Sequence, residues 1–218
     1  MQKSPSANTS RVASRELRRQ QLINATIKCV ARSGLSGVTM AEVTREASLS
    51  MGIVNLHFES KANLLIETLR YISDEYIGGW RRDVMETNTR PADKIRALID
   101  YDFSTRVCNR NKLAVWFAYW GEAKSRPVYR RICAAHDREC NDAVTQICLL
   151  LAKTTGSRRN RGVMTADAEV VTTAYMSLVN GLWLNRLLSP KDISVTKAKR
   201  VCHSYFASQY PGQFSDTI

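Results

Sequence analysis

Three helix starts that follow one another closely between Thr39 and Ser60 constrain the fold of this chain more than any other feature. Thr39 followed three residues later by Glu42 is a capping box, in which side chain and backbone exchange hydrogen bonds at a helix N-terminus. Ser50 and Ser60 are also suited to N-cap positions. The sequence therefore predicts three helices in quick succession, and the middle one is only about two turns long.

These helices follow a longer first helix. Its apolar residues recur at helical spacing, at Leu22, Ala25, Cys29 and Val30. The pattern predicts a first helix from Arg15 to a turn near Gly34, a second over residues 40–47, and a third from residue 50 to about 56, while residues 1–14 are expected to form a flexible arm. A two-turn helix is not stable alone, so the third is expected to rest on the first two and to offer its outer face to the DNA major groove, as in a helix-turn-helix.

The rest of the chain is also predicted to be helical. The breaks fall at Pro91, at residues 125–127, in the basic loop 153–161 and at Pro190. Five further helices are predicted near residues 91–107, 110–122, 126–152, 165–188 and 194–209. We therefore expect an all-α protein, with a helix-turn-helix DNA-binding domain over 15–60 and a helical ligand-binding and dimerisation domain over 61–218.

Charge and composition narrow the class of partner. The net charge is +12, and the basic excess is denser in the first 61 residues. Such a charge favours a polyanionic partner, because lysine and arginine release the counterions condensed on phosphates, although a solvated basic surface is an alternative. The sequence has no apolar run long enough to span a membrane and no signal-peptide core, so we expect a cytoplasmic protein without a membrane partner.

The six cysteines are scattered through helical segments, so buried free thiols are expected instead of disulfides. Cys133, His136 and Cys140 share one helix face and raise the alternative of a metal site. No CxxC pair and no fourth ligand accompany them, so no metal is predicted and no cofactor is implied. His136 and His203 are interpreted as surface or interface residues.

At residues 39–65 the sequence TMAEVTREASLSMGIVNLHFESKANLL resembles the DNA-binding signature of TetR-family repressors. The resemblance spans about residues 15–70 and implies a two-fold dimer whose third helices enter successive major grooves of a palindromic operator. It implies that Lys61 lies near a phosphate and that Phe58 fills the small core. The residues that the resemblance places at or beside the DNA are Thr39, Ser50, Met51, Val54, Asn55, His57 and Lys61.

Individual roles within that set differ. Met51, Val54 and Asn55 would form the reading face, with Asn55 able to hydrogen-bond adenine. For His57, phosphate contact and a structural cap are equal alternatives. Ser48 stands where the family usually has glycine, so strain is expected there if its backbone is left-handed.

The C-terminal half resembles the BetI-type branch, the choline-responsive repressors of glycine betaine synthesis, through KLAVWFAYWGEAKSRPVYRRI and NGLWLNRLLSP. Aromatic residues near positions 116–120 fall at helical spacing, and aromatic faces hold quaternary ammonium groups by cation–π attraction. A packed core is the alternative interpretation of such a stripe. The predicted binding set for choline or betaine aldehyde comprises Asp102, Phe103, Trp116, Tyr119, Trp120, Glu122 and Trp183.

A homodimer is also predicted. Helix 165–188 is apolar on more than one side, so it is expected to be buried both in a core and in an interface formed with helix 194–209. The interface is predicted around Tyr175, Leu178, Leu182 and Trp183. Two other functions are open: a TetR-type regulator of a lipophilic drug, acyl group or signal molecule, and an all-α enzyme. The sequence lacks the HExxH, Glu-x-x-His and glycine-rich phosphate motifs that would favour an enzyme.

Overall fold

The computed structural model describes residues 7–156 and 167–214, and these are helical with no strand among them. The helices are α1 (Ala7–Gly37), α2 (Met40–Ala47), α3 (Met51–Phe58), α4 (Lys61–Trp80), α5 (Pro91–Asp102), α6 (Arg110–Glu122), α7 (Pro127–Gly156), α8 (Ala168–Leu188) and α9 (Val195–Gln209). A π-helical turn, Arg81–Glu86, continues α4. The predicted all-α class is confirmed.

The first helix is longer than predicted, since it begins at Ala7 instead of Arg15. The described part of the expected arm, residues 7–14, is therefore helical, and residues 1–6 lie outside the described part of the chain. Residues 7–14 show no apolar period, but an established helix propagates at one hydrogen bond per added residue without needing a buried face. The predicted break is present at Gly34, whose φ is 69°.

Helix α5 is shorter than predicted and ends at Asp102 instead of residue 107. Phe103 leaves the helical conformation, and the Ser104 hydroxyl donates to the Tyr101 carbonyl at 2.7 Å. This side chain competes with the backbone for the carbonyls that a further turn would need. The early stop fixes Asp102 at the C-terminal end of α5. Asp102 therefore lies among the end of α4 and helices α5 to α9, which we name the effector domain.

Two hydrophobic cores organise the helices. One joins α1, α2, α3 and the first half of α4 to residues of α6 and α7, including Val115, Tyr119 and Tyr129. The other lies among the end of α4 and helices α5 to α9. Helix α6 therefore packs against the N-terminal helices as well as against the effector domain. No helix in the described ranges is long and apolar enough to cross a membrane.

Candidate DNA-reading head and effector site

Helix α2 is held by its predicted capping box. The Glu42 amide donates to Thr39 Oγ1 at 3.2 Å, and the Thr39 amide donates to Glu42 Oε2 at 3.0 Å. At the other end Ser48 is left-handed, with φ 54° and ψ 39°, and its amide donates to the carbonyls of Thr44 and Arg45. The expected strained turn is present, and it directs the chain from α2 into α3.

We name α1, α2, α3 and the first half of α4 the reading head. Helix α3 turns one face into this head and the other to solvent. Val54 and Phe58, four residues apart, are both buried, so Phe58 fills the small core as the resemblance implied. The placement of Val54 on the reading face is wrong, because the i, i+4 relation with Phe58 puts it on the inner side. The solvent face carries Met51, Asn55 and Leu56, and sequence reasoning missed Leu56, which is 67% exposed.

The N-terminal end of α3 is open on its outer side. Ser50 is the N-cap residue, and its hydroxyl makes no capping hydrogen bond. A Cβ added at Gly52 would meet the Ser50 hydroxyl only at 3.9 Å, which is ordinary contact. Packing inside the head therefore does not require glycine at position 52, and the space it leaves faces outward.

The start of α4 lies beside this face. Ser60 caps the helix by accepting from the Asn63 amide at 3.1 Å, and Lys61 Nζ donates to the Ser36 carbonyl at 3.3 Å. A cation at a helix N-terminus adds to the positive field of the free amides there, which suits a phosphate. Burial, followed by the charges of nearby α1 arginines, lowers the pKa of His57, so it is neutral at pH 7.

In the effector domain Asp102 is buried at the centre of a hydrogen-bonded group. Its carboxylate accepts from the hydroxyl of Tyr76 on α4 at 2.5 Å and from that of Tyr175 on α8 at 2.6 Å. Its carbonyl accepts from Trp183 Nε1 at 3.0 Å. Burial raises the pKa of Asp102 to about 6, against the opposing effect of the two tyrosine hydroxyls. At pH 7 most molecules therefore carry a buried negative charge at this position.

Further aromatic rings pack against Tyr76, one of the two tyrosines that donate to that carboxylate. The Tyr76 ring centroid lies 5.1 Å from that of His136 and 6.2 Å from that of Trp183, and Trp116 lies 5.0 Å from His136. We name this group the Asp102 cluster; its members are Tyr76, Asp102, Trp116, His136, Tyr175 and Trp183. It is closely packed, and the cavity beside Tyr76 and Trp116 measures about 10 Å³, which is the space of one water.

His136 corrects one expectation, because it is buried and not a surface residue. Its Nδ1 lies 3.0 Å from Ser73 Oγ, and burial lowers its pKa to about 4, so the ring is neutral. Its Nε2 lies 3.8 Å from the Cys140 thiol. Among the described residues no group of three or more His, Cys, Asp or Glu side chains is arranged to hold a metal ion.

The structure brings together only part of the predicted ligand set. Asp102, Trp116 and Trp183 belong to the Asp102 cluster, and Phe103, the residue after Asp102, is buried in the same core as Trp183. Trp120 is half-buried, with its ring 6.0 Å from that of Trp116, and no contact between Trp120 and Asp102 is present in the described part of the chain.

Two members of the predicted set point elsewhere. The Tyr119 hydroxyl donates to the Leu65 carbonyl at 2.7 Å, and its ring packs against Tyr129. Glu122 forms an ion pair with Arg126 at 2.7 Å near the end of α6. Neither side chain contacts Asp102: Tyr119, one turn after Trp116 on α6, is directed to α4, and Glu122 is directed to Arg126.

Three cluster members were not in the predicted ligand set: Tyr76, His136 and Tyr175. Tyr175 had been assigned to the dimer interface together with Leu182 and Trp183. Tyr175 and Trp183 instead face the interior of the domain and bond to Asp102, so the interface prediction is wrong for these two, while Leu182 lines the outer face of α8. Buried tyrosine hydroxyls need partners, and this requirement is the sequence signal that points to a buried acid.

The outer face of α8 is separate from its inner face. A groove of about 560 Å³ there is lined by Ala174, Ser177, Leu178, Gly181, Leu182, Asn185 and Tyr205. Val170, Leu184 and Leu188 are also exposed on α8, and Val201 on α9. Exposed apolar side chains concentrated on two neighbouring helices are typical of an interface.

A helix-turn-helix head joined to an all-α domain with a buried polar and aromatic site defines a ligand-responsive DNA-binding regulator. Residues 22–68 match the family described as bacterial regulatory proteins, tetR family, and residues 91–211 match the BetI-type transcriptional repressor C-terminal domain. The chain belongs to the TetR family of transcriptional regulators, with a C-terminal domain of the BetI type.

Relatives and solved structures agree with this assignment. The chain is 30% identical to an HTH-type transcriptional regulator BetI from Paraburkholderia phytofirmans over 88% of this chain and 92% of that protein. A transcriptional regulator from Pseudomonas aeruginosa PAO1 has the same fold, with a TM-score of 0.76 and 23% identity over 92% of this chain and 93% of the other. A regulator from Saccharomonospora viridis, solved in complex with choline, has a TM-score of 0.74 and 19% identity over 86% and 94%.

Proposed function

We propose that this protein is a homodimeric repressor that binds a palindromic operator and responds to a small quaternary ammonium cation, choline first and betaine aldehyde second. In that role it would control choline and glycine betaine metabolism. The observation that carries the proposal is the buried carboxylate of Asp102 within a ring of aromatic side chains. A quaternary ammonium ion donates no hydrogen bond, so such rings hold it by cation–π attraction of about 0.5 to 2 kcal/mol each.

The charge of the site supports a cationic ligand. In the described part of the chain no basic side chain pairs with Asp102, whose hydrogen-bond donors are two neutral tyrosine hydroxyls. A buried charge without a counter-charge is costly, and a cation entering the cluster would supply one. The structural neighbour solved in complex with choline supports the same ligand class.

The tight packing of the Asp102 cluster supports coupling to DNA binding. A ligand the size of choline does not fit a cavity of about 10 Å³, so it must separate Tyr76 on α4 from Trp116 on α6 or from Trp183 on α8. Helix α4 begins at Lys61 in the reading head. A ligand shifts an equilibrium by its differential affinity for two states, and here the state with α4 displaced would be the ligand-binding one.

The DNA contacts proposed for the head are made from the outer face of α3 and the starts of α2 and α4. Thr39, Ser50 and Lys61 would contact the DNA backbone and so position the protein on the duplex. Met51 and Asn55 would face base edges. His57, neutral at pH 7, would donate one hydrogen bond to a phosphate instead of adding a charge. The two heads of a dimer would lie about 34 to 36 Å apart on the operator.

Titration calorimetry with choline tests the ligand assignment, and 3,3-dimethyl-1-butanol, its uncharged analogue, is the control ligand. Choline is expected to bind and the analogue to bind far more weakly. Asp102→Asn should weaken choline binding at least about tenfold, because the counter-charge is lost. Asp100→Asn, a change at an exposed residue paired with Lys199, should leave the affinity unchanged. Equal binding of both ligands, or binding of an acyl or drug molecule in place of choline, would transfer the assignment to a lipophilic effector.

A further inference from the structure

A groove between α6, α7 and α8 lies outside the Asp102 cluster and has a volume of about 300 Å³. It is lined by Trp120, Ala123, Arg130, Cys133, Ala134, Asp137 and Asn180. The α7 members fall at intervals of three and four residues, so one face of that helix forms its wall. The groove is large enough for a molecule of the size of choline, unlike the cavity beside Tyr76 and Trp116.

The groove has the chemistry that receives a cation. Trp120 supplies a half-buried indole ring, and Asp137 supplies a carboxylate at the edge. In the described part of the chain no basic side chain forms an ion pair with Asp137. Arg130, the groove's one basic lining residue, lies seven residues earlier on α7, about 10 Å away along the helix axis. The Asp137 carboxylate and the Trp120 ring can therefore contact the same cation.

The Trp120 ring connects the groove to the Asp102 cluster. The Trp120 ring lies 6.0 Å from that of Trp116, which belongs to the cluster and lies 5.0 Å from His136. Cys133, on the floor of the groove, is one turn of α7 before His136. Asp137 follows Cys133 by four residues on α7, so the two side chains share one face of the helix. Burial and the Asp137 charge raise the pKa of the Cys133 thiol to about 11.

The other approach to the cluster is unfavourable for a cation. The small cavity beside Tyr76 is lined by Arg106, Lys112 and Glu75, and Glu75 is already paired with Lys112 at 2.6 Å. A positive ligand entering there would meet two basic side chains and a carboxylate that has a cationic partner. The groove presents a carboxylate and an indole ring instead.

We propose that the groove between α6, α7 and α8 is the entrance through which a quaternary ammonium cation reaches the Asp102 cluster. Trp120 and Asp137 hold the cation at the outer station, and the Trp116–His136 contact is the inner gate that separates to admit it. The inference rests on the proposed function, since it takes the cationic effector as given. Asp137 and Trp120 act here as positioning residues on the route, and Asp102 remains the charge at its end.

Stopped-flow tryptophan fluorescence with choline as the probe tests the entrance in the full-length protein. Ala134→Phe places a ring in the groove, and Ala135→Phe, the exposed neighbour outside its lining, is the matched control. A blocked entrance slows association and dissociation by the same factor, about tenfold, because the route is obstructed while the bound state is unchanged. Calorimetry should therefore give an unchanged Kd for Ala134→Phe, and Ala135→Phe should match the wild type in both rates.

The charge at the outer station is tested separately. Asp137→Asn is expected to slow choline association about threefold at low ionic strength and to reduce the salt dependence of that rate. Asp142→Asn, a change at an exposed carboxylate of α7 outside the groove, should leave both unchanged. Circular dichroism and operator binding without ligand check that each variant is folded.

Several outcomes would overturn the proposal that the groove is the entrance. Unchanged rates in Ala134→Phe, with choline bound normally, would show that the cation enters elsewhere and would leave the proposed function intact. Loss of the dimer in light scattering with unchanged rates would assign the groove to an interface between copies of the chain. Loss of equilibrium binding in Asp137→Asn as severe as in Asp102→Asn would make the groove the binding site itself. Absence of choline binding to the wild type would overturn the proposed function and the entrance together.

Discussion

The hydroxyl of Tyr76 donates to the carboxylate of Asp102 at 2.5 Å, which ties α4, the helix that begins in the reading head, to the end of α5. Tyr175 makes the matching contact from α8 on the other carboxylate oxygen. A cation that binds to the Asp102 carboxylate therefore competes with the Tyr76 hydrogen bond, which positions α4. Binding chemistry and helix position are linked through a single side chain.

Tyr76→Phe should weaken this link. With one donor lost, the charged form of Asp102 is less stabilised, so its pKa rises and choline binding begins to weaken at a higher pH than in the wild type. In the wild type, choline affinity should fall about tenfold per pH unit below pH 6, where Asp102 takes up a proton. Titration calorimetry between pH 5 and pH 8 measures both profiles. Tyr71→Phe, a change elsewhere on α4, should leave the profile in place.

Asp102→Asn should stabilise the protein without ligand at neutral pH. The folded-state pKa of about 6 lies above the ordinary value of 3.8, so wild-type stability falls as pH rises through this window. The difference between these two pKa values corresponds to about 3 kcal/mol of stability at neutral pH. Asp102→Asn should recover less than this, because the amide accepts the two tyrosine hydrogen bonds less strongly than a carboxylate does. Urea unfolding at pH 4, 5 and 7 measures the free energy of unfolding of both proteins. The difference in favour of Asp102→Asn should grow with pH. An advantage that was the same at all three values would contradict the burial of the charge.

Ser48→Gly should stabilise the head modestly. Ser48 is left-handed, a conformation that costs a residue with a Cβ about 1 to 2 kcal/mol, while glycine loses about 0.5 to 1 kcal/mol of chain entropy. The net gain is expected to be below about 1 kcal/mol and is measured by thermal unfolding. Ser48→Ala keeps the Cβ and should bring no such gain; a gain equal to that of glycine would remove backbone strain as the explanation.

Two substitutions in the reading head should distinguish a residue that contacts the DNA backbone from one that contacts base edges. Lys61→Ala is expected to weaken binding to all DNA sequences alike and to reduce the salt slope by about one phosphate equivalent. Asn55→Ala, on the exposed face of α3, should cost about 1 to 3 kcal/mol at one operator position and little at others. Fluorescence anisotropy with an operator library at several salt concentrations distinguishes them. Sequence-selective loss at Lys61 would contradict its phosphate role.

Leu178→Asp should split the proposed dimer. Leu178 lines the groove on the outer face of α8, and a lone charge buried in an interface costs several kcal/mol. Light scattering at micromolar concentration should report a monomer for this variant and a dimer for the wild type. Leu149→Asp replaces an equally apolar, exposed side chain on α7 and serves as the control. A dimer that survived Leu178→Asp would place the interface on another surface.

Short-range signals made the reading head predictable from sequence. The capping residues Thr39 and Ser60 mark the starts of α2 and α4 because each accepts a hydrogen bond from an amide three residues later. Val54 was misplaced because Ile53, Val54 and Leu56 are all apolar, so a helix of two turns offers no clear period. Only its contact with the other helices decides which side is buried.

The Asp102 cluster was harder to predict because its contacts are distant in sequence. Asp102 meets Tyr76 across 26 residues and Tyr175 across 73, and no local pattern reports such pairs. Tyr119 and Glu122 were included because they share α6 with Trp116. Helical spacing alone did not show that Tyr119 turns to α4 and Glu122 to Arg126.

The hydrophobic core of the reading head is completed by side chains from the second domain, namely Val115, Trp116 and Tyr119 of α6 and Tyr129 and Cys133 of α7. A fragment cut after α4 would lose these partners and expose the apolar surface they cover. The head is therefore not a module that can be exchanged freely among effector domains. Changes in its core during evolution must be matched by changes in α6 and α7, so operator specificity can drift on the outer face of α3 while the inner face evolves together with the sensor.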